Sequence, residues 1–182
     1  MKNILLSTAV LLSLLTSSYA YELNGDLQVK WTGFKTEKKA PVSGTFNDIN
    51  LNISKSDDLS TFLKSAKVEI TTKSFESKNP ARSENIITTL FSLATSKIIE
   101  GSISSVDTKN KELTLELIMN EVKNNVTMKY TIEDGKINAK GTIDILNYKM
   151  EEPYMKFAQK CASFHNNKSY SDVNIEFTLP YK

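Results

Sequence analysis

The chain has 182 residues, with 23 Lys+Arg against 21 Asp+Glu and a single His. A net charge of +2 gives no electrostatic basis for gripping nucleic acid or an anionic membrane surface. With one cysteine, Cys161, no disulfide closes within the chain, so an exported form is held together by packing alone.

The first twenty residues read as a secretory signal peptide. Lys2 supplies the positive start and Ile4 to Leu15 an apolar core too short for a good membrane span. Ser18-Tyr19-Ala20 places small residues at the cleavage positions, so the cut is expected after Ala20. Residues 21–182 then form one domain in the periplasm or outside the cell, with no stable membrane span. They show no repeat, linker or low-complexity stretch.

Leu23, Gly25, Leu27, Val29 and Trp31 share one parity against polar neighbours and predict a first strand. Lys35 to Ala40 is a charged loop. Val42, Gly44 and Phe46 alternate next, then Ile49, Leu51 and Ile53 on the other parity; a bulge or bend at Asn47–Asp48 absorbs the slip. Asp57 to Leu63 predicts one or two helical turns with an Asx cap. Val68 and Ile70 mark the next strand. Asn79-Pro80 starts a helix over 80–94, whose apolar face carries Ile86, Ile87, Leu90, Phe91 and Ala94.

Ile99, Gly101 and Ile103 open a strand that leads into the most regular part of the chain. From Lys111 to Leu146, three strands alternate dry and wet residues. Leu113, Leu115 and Leu117 face in on the first. Val126, Met128, Tyr130 and Ile132 follow a turn expected at Lys123–Asn125. Ile137, Ala139, Gly141, Ile143 and Ile145 follow Asp134-Gly135. Pro153 starts a second helical period, with Tyr154, Phe157, Ala158, Cys161 and Phe164 on one face. Val173, Ile175, Phe177 and Leu179 make the last strand. The sum is a mainly β chain of eight antiparallel strands and two α-helices. Two architectures share these parities, an eight-stranded barrel and a two-layer sandwich. Short meander connections and the glycines Gly44, Gly101 and Gly141 favour the barrel.

The order of several short motifs resembles the YceI-like family of exported, lipocalin-like, polyisoprenoid-binding proteins. They are Val42-Ser43-Gly44-Thr45-Phe46, then Ile70 to Ser74 leading to Asn79-Pro80-Ala81-Arg82, and Phe91. Asn120-Glu121-Val122-Lys123-Asn124-Asn125-Val126 and Gly141-Thr142-Ile143 follow. The resemblance implies an eight-stranded lipocalin-like barrel whose apolar lumen carries or sequesters a long isoprenoid, such as a quinone or polyprenyl lipid, or a similar amphiphile. It also makes a homodimer plausible. Where relatives carry Arg-Asp and then His, this chain has Arg82, Ser83 and Asn85. Their Asn-Gly-Val-Thr hairpin reads Asn-Glu-Val-Lys here.

On that resemblance the expected lumen residues are Trp31, Phe46, Ile70, Ile86, Leu90, Phe91, Leu113, Leu115, Leu117, Val126, Met128, Tyr130, Ile137, Ala139, Ile143, Phe157, Val173, Ile175 and Phe177. Read from the residues alone, the same set makes an ordinary solid core, in a protein acting through its surface. Arg82, with Asn85 nearby, is the candidate for a ligand's head group beside a helix start, or it pairs with Glu84 on the surface. Cys161 and His165 lie four apart on a helical face. They are weak candidates for a haem or metal contact in an electron-transfer accessory; a buried thiol in the apolar stripe is the plainer role. No cofactor is required by these readings and no catalytic group stands out: His165 is the sole possible base, and Glu112 and Glu116 lie on the wet face.

Overall fold

The chain enters its fold extended. In the computed structural model, which describes residues 20–182, Tyr21 bridges to Ser56 and Leu23 to Tyr181 before regular pairing begins. The signal-peptide expectation rests on residues that lie, but for Ala20, outside those described. Strand β1 (Gln28–Lys35) forms a hairpin with β2 (Ala40–Phe46). Strand β3 (Ile49–Asn52) pairs with β4 (Lys67–Thr71), and β5 (Phe75–Glu76) returns to β2. A meander of β6 (Ile98–Asp107), β7 (Glu112–Met119), β8 (Val122–Glu133) and β9 (Lys136–Asp144) follows. Strand β10 (Asp172–Pro180) then joins β9 to β1.

The described residues form ten strands where the sequence predicts eight, and all ten belong to one sheet. Two bends account for the difference. β2 and β3 are one run of chain interrupted at Asn47–Asp48, where the parity slips. β4 and β5 are one run interrupted by a 3-10 turn at Thr72–Ser74. Across these bends the Asn47 N–H donates to Ser74 O at 3.1 Å and the Thr71 N–H to Asp48 O at 3.1 Å. β2 holds β1 and its continuation β3 holds β4, so the curled sheet returns on itself through eight runs of chain. A single curled sheet removes the sandwich alternative and makes the shared dry face the inside of a barrel.

Among the described residues three α-helices are present, one more than predicted. The extra one is α1 (Leu59–Lys64), the capped turn foreseen at 57–63 now long enough to count. The Thr61 N–H and hydroxyl both donate to Asp58 Oδ1 at 2.7 Å. These bonds hold the Asp58 carboxyl below its ordinary pKa. Leu59, Phe62 and Leu63 point into the barrel and close one end, with Tyr21 stacked on Phe62 at 5.9 Å between centroids. At the other end lie α2 (Pro80–Ile86) and α3 (Glu151–Lys160). Asn79 caps α2 by accepting the Arg82 N–H at 2.9 Å. The predicted 80–94 helix does not run through: Ile87–Phe91 is a π-turn, closed by the Ser92 N–H on Ile87 O at 2.7 Å.

The β7–β8 turn falls at Asn120–Glu121, not at Lys123–Asn125. Met119 faces Val122, and both turn residues have positive φ, 51° and 64°, as a two-residue hairpin of the primed type requires. Asn120 decides the position because its side chain is buried and hydrogen-bonded through both ends of the amide. Its Oδ1 accepts the Thr95 N–H at 2.6 Å, and its Nδ2 donates to Tyr148 O at 3.1 Å and Lys149 O at 2.9 Å. Glu121 then occupies a left-handed site that glycine fills without a Cβ clash. Glu121→Gly is therefore expected to stabilise the fold by about 0.5–1 kcal/mol net of the unfolded-chain entropy it adds. A thermal melt should move up by roughly 1–3 °C.

Candidate ligand-binding site

Inward parity places apolar side chains on the barrel axis, but it does not fill the axis evenly. Two cavities stand out among the described residues. The lower one, of about 100 Å³, sits in mid-barrel and shows only apolar surface. Trp31, Phe46, Ile70, Leu115, Leu117, Met128, Ile175 and Phe177, all expected in the lumen, line it. The upper one, of about 280 Å³, lies under α2 and α3 and takes Ile86, Leu90, Phe157 and Val173 from the same set, with Trp31 again. Of the described residues, Trp31 alone borders both.

The other expected lumen residues border neither cavity. Leu113, Val126, Tyr130, Ile137, Ala139, Ile143 and Phe91 are buried in solid packing. The reason is visible at Gly141, where an added Cβ would come within 3.0 Å of Met128 and 3.1 Å of Val126. Neighbouring side chains already fold over the bare backbone there, so neither cavity reaches strand β9. Tyr130 keeps a buried hydroxyl that has no hydrogen-bond partner among the described residues, and burial pushes its pKa up.

Several lining residues lay outside the expected set. Leu51 and Val68 carry the right parity and could have been included. Phe75 could not, because the 3-10 turn before it breaks the alternation. Lys35, Tyr154 and Tyr170 reach the upper cavity from loop, helix and strand ends that no periodicity connects.

The upper cavity is where polar groups gather. Arg82 and Asn85, the head-group candidates, line it together with Lys35, Asn79, Cys161 and His165. No aspartate or glutamate lines it, and among the described residues neither Arg82 nor Lys35 pairs with an acid, Glu84 included. Tyr154 donates its hydroxyl to Ser169 O at 2.8 Å. His165 Nδ1 meets Ser169 Oγ at 2.7 Å, and its ring stands edge-on to Phe157 at 5.6 Å. These bonds tie α3 and the turn after it to the segment before β10, and Tyr154 and His165 both line the cavity.

Cys161 ends α3, and the 3-10 turn Ala162–Phe164 carries the chain to His165, whose backbone N–H still reaches Cys161 O at 3.0 Å. Burial raises the Cys161 thiol above its usual pKa, which favours the neutral thiol over a nucleophilic or metal-binding thiolate. Among the described residues, no three His, Cys, Asp or Glu side chains group to hold a metal ion. Burial, and then the nearby Lys35 charge, pulls His165 below its ordinary 6.5. The unfolded chain therefore takes up this proton first as pH falls. Stability is full above 6.5 and is lost as pH drops through the lower folded value. Urea melts at about pH 7.5 and about pH 5.5 should show a lower midpoint in acid, and His165→Gln should remove part of that slope.

Above the lower cavity stands an aromatic wall. Trp31 meets Phe91 edge-on at 5.8 Å, and Phe91 lies 6.0 Å from Phe46 and 5.9 Å from Phe75. Phe46 and Phe75 complete the ring set at 5.5 Å.

Solved structures share this architecture. A polyisoprenoid-binding domain from Saccharophagus degradans, implicated in plant cell wall breakdown, superposes with a TM-score of 0.59 at 14% identity. The match covers 91% of this chain and 98% of that one. Burkholderia cenocepacia BcnA gives a TM-score of 0.56 at 14% identity over 84% and 94% of the two chains. The Campylobacter jejuni YCEI protein gives 0.55 at 15% over 79% and 86%. No curated protein matches the chain. The family model for the YceI-like domain matches residues 17–180, nearly the whole sequence, and the chain belongs to that family.

Proposed function

We propose that this protein is exported and binds an isoprenoid or similar amphiphile, with the apolar chain inside the barrel and the polar end at the α2–α3 side. The observation that carries this reading is the pair of cavities, one wholly apolar and the other lined by apolar side chains together with Lys35, Arg82 and Asn85. Its relative from Saccharophagus degradans is described as polyisoprenoid-binding, which supports the choice of ligand class. Export rests on the charged start, apolar core and small-residue end of residues 1–20.

Burial of ten methylenes would contribute roughly 8 kcal/mol gross at ~0.8 kcal/mol each. That corresponds to about micromolar affinity before association costs are subtracted. Apolar walls of this kind reward chain length and leave head-group choice to the rim. Gentle organic extraction of protein purified from the exported fraction, followed by mass spectrometry, should recover a bound amphiphile. If none is recovered and none displaces a fluorescent lipid probe, the binding role is wrong.

A further inference from the structure

The two cavities meet at one residue. Trp31 borders both and is itself buried. Its indole is held by Phe91, which rests on Phe46 and Phe75. Each ring is held in turn. Gly44 sits directly across the β1–β2 pair from Trp31, and the Phe75 ring occupies the space its Cβ would need. The π-turn of Ile87–Phe91 buries both Leu90 and Phe91, and π-turns of this kind recur at functional sites.

The room on each side sets a limit. A cavity of ~150 Å³ holds one benzene. On that scale the upper cavity holds about eleven heavy atoms and the lower one about four more. The rim adds charge: Lys35 and Arg82 line the upper cavity, with no acid to answer them. We infer that the protein takes a short amphiphile, a tail of about ten carbons on an anionic carboxylate or phosphate head, with Lys35 and Arg82 at the head and Trp31 stopping the tail. This rests on the binding role above and narrows it, because a long polyprenyl chain needs both cavities and a passage between them.

Trp31 is the chain's only tryptophan, so its emission reports the tail directly. Wild-type protein is titrated with decanoate and palmitate, and with geranyl and geranylgeranyl phosphate. The short member of each pair is expected to bind at least tenfold more tightly. Methyl decanoate, which lacks the charge, should bind at least tenfold more weakly than decanoate. A preference for geranyl phosphate assigns a prenyl phosphate and the reverse assigns a fatty acid; either supports a short anionic amphiphile. Decanoate brominated at its far end should quench Trp31, and decanoate brominated beside the carboxylate should not. In Trp31→Ala, followed by displacement of a bound fluorescent probe, the long chains should gain at least tenfold. Should that variant fail to fold, the two brominated acids decide the matter on wild-type protein. Long chains binding wild type as tightly as short ones, or equal quenching by the two acids, overturns the length limit and leaves the binding role standing. If no amphiphile of any length binds, the binding role itself fails and the limit with it.

Discussion

Phe62→Ala is expected to lower the unfolding free energy by about 3–5 kcal/mol, close to what a small domain can lose and still fold. Helix α1 is six residues long, far too short to persist without tertiary packing. It is kept in place by Leu59, Phe62 and Leu63, of which Phe62 and Leu63 have 0% exposure. Truncating Phe62 opens a void at the closed end of the barrel and removes the ring against which Tyr21 stacks. The urea midpoint should fall with little change in slope, and the melting temperature should drop by roughly 10 °C or more. Phe62→Leu keeps most of the volume and should cost less than about 1.5 kcal/mol. Equal losses for the two variants would mean that α1 does not depend on this packing.

Asn120→Ala is expected to cost about 2–4 kcal/mol, although it removes a single amide from a turn. Three bonds disappear together: the one accepted from the Thr95 N–H and the two donated to Tyr148 O and Lys149 O. The Tyr148 carbonyl is left in a buried site with no replacement donor, and alanine must still hold a φ of 51°. The side chain ties the β7–β8 turn to the end of the π-turn segment and to the 3-10 turn at Ile145–Tyr148, so its loss should loosen the roof of the upper cavity as well. Asn124→Ala is the control. It removes the bond to Asn147 O at 2.9 Å and the one with the Tyr148 side chain, and should cost about 1.5 kcal/mol. A cost below that for Asn120→Ala would show that the turn is set by its backbone alone.

Asn120 also shows where sequence reasoning loses hold. The Asn124-Asn125 pair looks like the better turn by composition, but both residues lie in strand β8. What separates the sites is one backbone donor and two backbone acceptors from 25 to 29 positions away, invisible to any local pattern. The slip at Asn47–Asp48 was legible as a bend because it changes which parity is dry. That the bend also closes the sheet on itself was not, since closure depends on β1 and β4 reaching the same run of chain from opposite sides. Arg82 was legible as a head-group candidate from its place beside a capped helix start. Lys35, its basic partner at the rim, lies in another hairpin and had no signal of its own.

By itself the sequence determines the strand parities, the caps of α1 and α2, the Asp134-Gly135 hairpin and the inward side of the barrel. Each of these follows from residues within a few positions of one another. Only the tertiary structure decides how much of the dry interior is empty. Parity says which side chains face the axis but not how far the opposite wall stands. That distance is set by pairs such as Trp31 with Phe91 and Gly44 with Phe75, brought together from remote parts of the chain. The strands of the meander, the most regular stretch of sequence, border only the smaller cavity. The larger internal space lies instead beneath the two least regular segments, where the π-turn and the α3 insert cover the barrel.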